Sequence, residues 1–481
     1  MTPKEKLKIP PQPMPEQPAR ARARNMREVA LGFDADAARR EAQRCLGCPT
    51  RPCVSGCPVG LKIPEFLAAA AAGDFAKALK IIRGDSLLPA ICGRVCPQEK
   101  QCQKNCTVGK ILGDVSKSVA IGRVERFCAD NAAVADSSAS KFQTSSLELQ
   151  TAAASRRRVA VVGSGPAGIT CAADLARAGC EVTVFEAFHR PGGVLVYGIP
   201  EFRLPKAIVA REIDTLAAYG VKIVTDFVVG RTRSLEELRG EFDAVFLGVG
   251  AGLPKFMGID GENLIGVFSA NEYLTRANLM KAYPGSEADT PYWHGRRVAV
   301  LGGGNVAMDA ARMALRLGAD EVHLIYRRGE REMPARAEEV AHAREEGVEF
   351  HLLTNASRIL GDEAGRVAAV ECLRYELGAS DASGRRRPVA IAGSEFTLAV
   401  DTVVVAVGNG SNPLLAASCP ALKTDDRGRI LVDERTLMTS LDGVFAGGDI
   451  VLGAATVILA MGEGRRAAAG ILEYLERKPA R

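Results

Sequence analysis

Twice along the chain a short apolar strand runs straight into a glycine turn and then a helix. This repeat restricts the fold more than any other feature of the sequence. The first copy reads RRRVAVVGSGPAGITCAADLARAGCEVTVFEA and the second RRVAVLGGGNVAMDAARMALRLGADEVHLIYRR. Strand, turn, helix and second strand make a βαβ unit, with the turn opening at the helix N-terminus, so two units predict two nucleotide sites. In the first, Gly163, Gly165 and Gly168 let backbone amides approach a pyrophosphate, and Glu186 at the end of the next strand accepts hydrogen bonds from a ribose. In the second, Gly302, Gly304 and Asn305 form the turn, with Ala307 in place of the third glycine. Its next strand ends in Arg327 and Arg328, which suit a 2′-phosphate where a carboxylate would hold a bare hydroxyl. The two sites therefore hold different nucleotides, FAD in the first and NADP(H) in the second.

Nine of the 13 cysteines lie between Cys45 and Cys128, upstream of both units. Cys45, Cys48, Cys53 and Cys57 are spaced C-x2-C-x4-C-x3-C-P, and Cys92, Cys96, Cys102 and Cys106 form a second group. Structural zinc commonly uses two C-x2-C knuckles. Repeated cysteines closed by Cys-Pro are closer to [4Fe-4S] ligation, in which the last cysteine of a run often serves the other cluster. Two clusters are the expectation, with zinc the alternative. Clusters also complete a chemical sequence: a flavin stores the two electrons of a hydride and releases them singly to one-electron carriers.

The first residues, MTPKEK, lack the apolar core of a secretory signal, and no apolar run reaches the roughly 18 to 20 residues that span a bilayer. A reducing cytoplasmic location without membrane contact is the expectation, in which disulfides are rare. A net charge of +5 on 481 residues is mild, and one Trp with few aromatics gives no stacking surface for nucleic acid. The arginines of ARARAR and SRRRVAVV read as solvated arms or a linker end. Texture divides the chain into an extended arm over 1–35, a helical cysteine domain over 36–130 and a polar linker over 131–155. An FAD unit over 156–290 follows, then an NADPH unit over 291–410 and the rest of the FAD unit over 411–481. The fold class is α/β, a helical iron–sulfur domain followed by two Rossmann-like domains.

With these motifs in place, LDGVFAGGDIVLGAATVILAMGEGRRAA near the end resembles the pyridine-nucleotide-dependent flavoproteins. The resemblance implies that Gly448 and Asp449 meet the FAD ribityl chain and phosphate, and that the NADPH domain is inserted in the FAD domain. Disulfide reductases of that group need a cysteine pair beside the flavin, which FHRPGGVLVYGIPEFRLPK lacks. CLGC, CVSGCPVGLKIPEF, LPAICGRVCPQEKQC, SVAIGRVERF, YGIPEFRLPK and GGGNVAMDAAR together resemble the NADPH glutamate synthase small-subunit family. They are also similar to the large subunit of ferredoxin-dependent NADH:NADPH transhydrogenase, the sulfide dehydrogenase subunit and the N-terminal half of dihydropyrimidine dehydrogenase.

The resemblance implies cross-wired clusters, Cys45, Cys48, Cys53 and Cys106 holding one, and Cys57, Cys96, Cys102 and Glu125 the other, leaving Cys92 and Cys128 as packed thiols. It adds Gly193, Arg203 and Thr456 as flavin contacts. It implies an oxidoreductase in which NADPH reduces FAD and electrons leave through the Glu125 cluster and then the second one. They go to a partner, either a large glutamate synthase subunit or a small NAD-binding flavoprotein, with ferredoxin as a further partner in the bifurcating transhydrogenase reading. A zinc-bearing scaffold with vestigial nucleotide folds is the alternative from another class.

Overall fold

The computed structural model describes residues 1–136, 157–380 and 384–478. The main helices of the cysteine domain are Ala35–Gln43, Ile63–Ala71, Phe75–Asp85, Pro89–Val95 and the longer Ile121–Asp136. Local chemistry fixes their ends. Asp34 accepts from the amide of Ala37 at 2.7 Å and Asp74 from that of Lys77 at 2.9 Å, each capping a helix start. Gly73, at φ 85°, takes the left-handed turn between the second and third helices. Phe66, Ile82, Leu88, Ile91 and Val124 fill the space between them and are fully buried.

The two βαβ units seed two parallel five-stranded sheets. In the first the order is Val444–Ala446, Ala244–Leu247, Arg158–Val162, Glu181–Phe185 and Lys222–Val224. In the second it is Val267–Ser269, Thr402–Val405, Arg297–Leu301, Glu321–Tyr326 and Glu349–Leu352. Near-continuous apolar strands such as Val159–Val162 are what a sheet covered on both faces requires. An antiparallel sheet of Thr354–Gly361, Val367–Ser380, Arg386–Ala390 and Phe396–Ala399 packs on the second unit. The chain crosses between the units where Leu253–Pro254 pairs with Asn409–Gly410.

Two expectations need correction here. The second unit begins before residue 291, because Val267–Ser269 hydrogen-bonds to Thr402–Val405 inside the second sheet. The arm over 1–35 is folded and packed rather than extended and solvated. It carries helices Pro3–Lys8 and Ala19–Arg22, and Val29 donates to the carbonyl of Phe202 at 2.9 Å. Arg22 of the ARARAR run is 2% exposed because the buried Glu346 and the exposed Glu345 of the second unit take its guanidinium. The linker expected over 131–155 starts inside the helix that ends at Asp136, and its remainder lies outside the described residues.

Candidate redox site

The fold brings the cysteines together as two sets drawn from both sequence groups. Cys45, Cys48, Cys53 and Cys106 line one cavity, walled by Leu46, Ile63, Leu67 and Ile121. Cys57, Cys96, Cys102 and Glu125 line another, together with Cys92. Burial pushes the Cys53 thiol up to about 12 and the Cys57 thiol up to about 11, and it raises Cys45. Thiolates in such dry surroundings need a cationic core to hold them. Among the described residues, two groups gather three ligand atoms within 4.8 Å of one another, His323–Glu349–His351 and Glu16–Glu338–His342, and neither contains a thiol. No three sulfurs of the described residues thus lie within 4.8 Å of one another, wider than the edge of about 3.8 Å that three thiolates on one zinc, with bonds of about 2.3 Å, would share.

Glu125 is 6% exposed, on the helix Ile121–Asp136, and burial pushes its carboxyl up to about 8, with the charge of Glu212 adding to the effect. Cys92, expected to be a packed thiol, is indeed buried but faces the same cavity, and its Sγ lies 3.5 Å from Met461 Sδ. Met461 belongs to the last helix, Val457–Arg477, which caps the second cavity through Ile458. Gln101, another cavity residue, donates from Nε2 to Thr456 Oγ1 at 3.5 Å, and Thr456 is the N-cap of that helix. The second cysteine set thus sits directly against the first nucleotide unit.

In that unit each turn glycine has its own reason. A Cβ on Gly163 would meet the carbonyl oxygen of Gly248 at 2.5 Å, and one on Gly168 that of Gly163 at 1.9 Å, so both allow helix and strand to pack closely. A Cβ on Gly165 would meet nothing within 4 Å, which leaves this face of the turn open for a pyrophosphate. Gly193, at φ 54°, backs onto Gly165, and Gly448, at φ 78°, backs onto Ala167. Glu186 Oε2 accepts from the Ser164 amide at 2.9 Å and from the Ser164 hydroxyl, while Oε1 accepts from Phe188 at 2.8 Å. A ribose hydroxyl would share this carboxylate with the turn. Asp449 is raised to about 6 by burial, and Tyr197 is pushed up to about 12 by burial and by the charges of Asp449 and Glu186.

The second turn repeats the pattern. A Cβ on Gly302 would meet the carbonyl oxygen of Ala406 at 2.4 Å, whereas on Gly304 the first atom met is Pro334 Cγ at 3.9 Å. Asn305 Oδ1 accepts from the Arg336 amide at 2.9 Å, bracing the turn. The two arginines differ: Arg327 is exposed, while Arg328 is 8% exposed and donates to the carbonyl of Arg386 at 2.9 Å. Arg203, expected to be a flavin contact, is instead committed to the second unit. Its Nη1 meets Asp309 Oδ2 at 2.6 Å and its Nε lies 3.0 Å from Glu339 Oε1, so the buried guanidinium is spent on joining the units. Sequence reading missed Ser164, Gln101, Cys92 and Tyr197 as site residues. Of these, only Ser164, lying inside the glycine turn, carried a local signal.

Comparison with known proteins agrees with this layout. Residues 22–137 match the family described as dihydropyrimidine dehydrogenase domain II, 4Fe-4S cluster, and residues 157–464 match pyridine nucleotide-disulphide oxidoreductase. The chain is 39% identical to the small chain of glutamate synthase [NADPH] from Azospirillum brasilense, over 97% of its own length and 95% of that protein. It is 36% identical to the small chain from Escherichia coli, over 96% of both. It is 41% identical to the beta subunit of the NADP(+)-dependent formate dehydrogenase of Moorella thermoacetica, over 89% of its length but only 60% of that protein. Among solved structures it resembles FprA of Mycobacterium tuberculosis in complex with NADPH, with a TM-score of 0.57 at 22% identity, over 67% of this chain and 85% of that one. These three curated relatives are named as a chain or subunit of a larger enzyme, which supports a partner subunit here, and no described helix is long and apolar enough to cross a membrane. With cysteines around two cavities, two open glycine turns and this likeness, the chain belongs to the glutamate synthase small-chain family, NADPH-dependent oxidoreductases that carry FAD and [4Fe-4S] clusters.

Proposed function

We propose that this chain is the electron-input subunit of a larger enzyme. Cys45, Cys48, Cys53 and Cys106 hold the outer cluster, and Cys57, Cys96, Cys102 and Glu125 the one nearer the flavin. One observation carries the order of the two: the second cavity is lined by Ile458 of the last helix, whose Gly464 backs onto Ala167 in the helix that opens at the first glycine turn. FAD, when bound, supplies acceptance of a hydride and release of single electrons. The protein's own part is to hold, orient and exclude water. Gly165 leaves room for the pyrophosphate while Gly163 and Gly193 let neighbouring backbone pack closely around it, Glu186 and Asp449 take hydroxyls, and Arg327 takes the 2′-phosphate of NADPH. Ile121, shared by both cavities, separates the clusters with an apolar side chain that keeps water out of the path.

The partner follows from the resemblance to glutamate synthase small chains: a large subunit in which glutamine nitrogen is transferred and 2-oxoglutarate reduced. The 41% identity to a formate dehydrogenase beta subunit favours one second reading, in which the same input module serves a different catalytic partner. Cys106→Ser and Cys102→Ser, made as whole chains, test the ligand sets. Each should lose about four irons and a different electron-spin signal while FAD stays bound. Loss of the same signal in both would refute the cross-wiring. Reconstitution with a large glutamate synthase subunit, read as NADPH- and glutamine-dependent glutamate formation, tests the partner, and absence of product with NADPH oxidation intact would favour the second reading.

A further inference from the structure

The second nucleotide unit carries donors that the redox site does not use. Glu321 and His323 of strand Glu321–Tyr326, with Glu349 and His351 of the edge strand Glu349–Leu352, lie on one face of the sheet. Residues two apart in a strand share a face, and the parallel register sets His323 opposite Glu349 and Ile325 opposite His351. Leu324, Tyr326, Phe350 and Leu352 occupy the opposite face and pack into the helix-side core.

On the shared face two ring nitrogens meet the two oxygens of one carboxylate. His323 Nδ1 is 3.1 Å from His351 Nε2 and 3.3 Å from Glu349 Oε2, and His351 Nε2 is 3.4 Å from Glu349 Oε1. A tetrahedral zinc ion with bonds of about 2.0 to 2.1 Å sets its ligand atoms about 3.3 to 3.4 Å apart. The other ring nitrogen, His323 Nε2, faces Glu321 Oε2 at 3.7 Å. A carboxylate behind a ligating imidazole fixes the tautomer that leaves the opposite nitrogen's lone pair free for a metal. The imidazoles are 11% and 18% exposed, while the Glu349 carboxylate is 64% exposed, so the group opens to solvent on one side. Arg374 and His323 are the positive groups acting on His351, but the Arg374 guanidinium is held 4.9 Å over the Phe396 ring and the Glu349 carboxylate acts on the imidazole more strongly than either.

The other three-donor group differs in kind. Glu16 is taken by Arg22 at 3.1 Å, and Glu338 by Arg123 at 3.1 Å and Arg336 at 2.9 Å, so a cation there would have to displace guanidinium groups. We propose that His323, His351 and Glu349 bind a divalent cation of the zinc class, with water completing the tetrahedron and Glu321 orienting His323. The site ties the edge strand to its neighbour, with His323 level with Ala299 and His351, through Ile325, level with Leu301. None of its residues is among those assigned to nucleotide binding, so its role is structural.

The test is a calorimetric titration of the EDTA-washed holoprotein with zinc sulfate, iron being counted before and after, alongside His351→Gln and Glu321→Gln. One zinc per chain should bind to the wild-type protein and raise its thermal midpoint. Binding should be lost in His351→Gln and weakened by about tenfold or more in Glu321→Gln. Flavin bleaching by NADPH should be equal in all three. Zinc binding that is absent in the wild-type chain, or unchanged in both variants, would overturn the proposal and leave His323 and His351 as a hydrogen-bonded pair.

Discussion

A β-carbon on Gly462 would come within 3.0 Å of the carbonyl oxygen of Pro58, so the last helix and the loop that follows Cys57 touch backbone to backbone. This contact seats the second cysteine set on the first nucleotide unit. Gly462→Val is expected to force them apart, destabilising the chain by about 1 to 3 kcal/mol, as overpacking does. NADPH should still bleach the flavin, while cluster reduction slows, as followed by rapid-mixing absorbance. Equal rates in Gly462→Val and the wild type would show that the contact carries no electron transfer.

Glu125→Ala is predicted to leave flavin content unchanged and to alter only one of two cluster signals, with iron falling from about eight to about four per chain if the cluster is lost. Because Cys92 faces the same cavity, retained iron with a shifted signal in Glu125→Ala, and loss of that iron in Glu125→Ala combined with Cys92→Ser, would mark the thiol as the replacement ligand.

The exposed Arg327 and the buried Arg328 should separate under mutation. Arg327→Ala is expected to raise the KM for NADPH by about 10- to 100-fold and leave that for NADH unchanged, as loss of a charge-assisted bond worth about 1.5 to 3 kcal/mol requires. Arg328→Ala removes a bond to the hairpin strand Arg386–Ala390, so its effect should fall chiefly on thermal stability. Steady-state kinetics with both coenzymes checks the split.

Glu346 holds three buried guanidinium groups, Arg22 at 3.1 Å and Arg312 and Arg316 at 2.7 Å each. Glu346→Gln should cost about 3 to 5 kcal/mol, because it strands buried charge. Burial alone would raise this carboxyl, but Arg312 and Arg316 outweigh it and hold Glu346 at about 2; Glu339 is likewise held at about 2 against burial, by Arg203 and Arg312. Folded values below the ordinary 4.5 mean that the stabilisation is complete above about pH 4.5 and is lost as pH falls through about 2. The difference between wild type and Glu346→Gln should therefore shrink over that window. Trp293, the only tryptophan, lies in this unit and reports its unfolding by fluorescence.

The two glycine turns and the strands before them were legible in the sequence because each depends on residues within a few positions of one another. The cysteine partition was accessible only through the resemblance, since spacing alone gives two sequence groups, and the fold gathers the same residues, with Cys92 added, around two cavities. Arg22 and Arg203 were not legible. One looked like a solvated charge and the other like a flavin contact, and their true partners, Glu346, Asp309 and Glu339, lie more than a hundred positions away. The start of the second unit was hidden for a similar reason, since Val267–Ser269 is only three residues long and becomes a strand by pairing with Thr402–Val405.

The most direct test of the account is an anaerobic titration of the purified chain with NADPH and, separately, NADH, following flavin absorbance, cluster spin signals and iron content together. NADPH should bleach the flavin in preference to NADH, with about eight irons per chain and both clusters drawing electrons afterwards. A chain with little iron whose absorbance does not respond to NADPH, when made and kept without oxygen, would contradict the electron-input function.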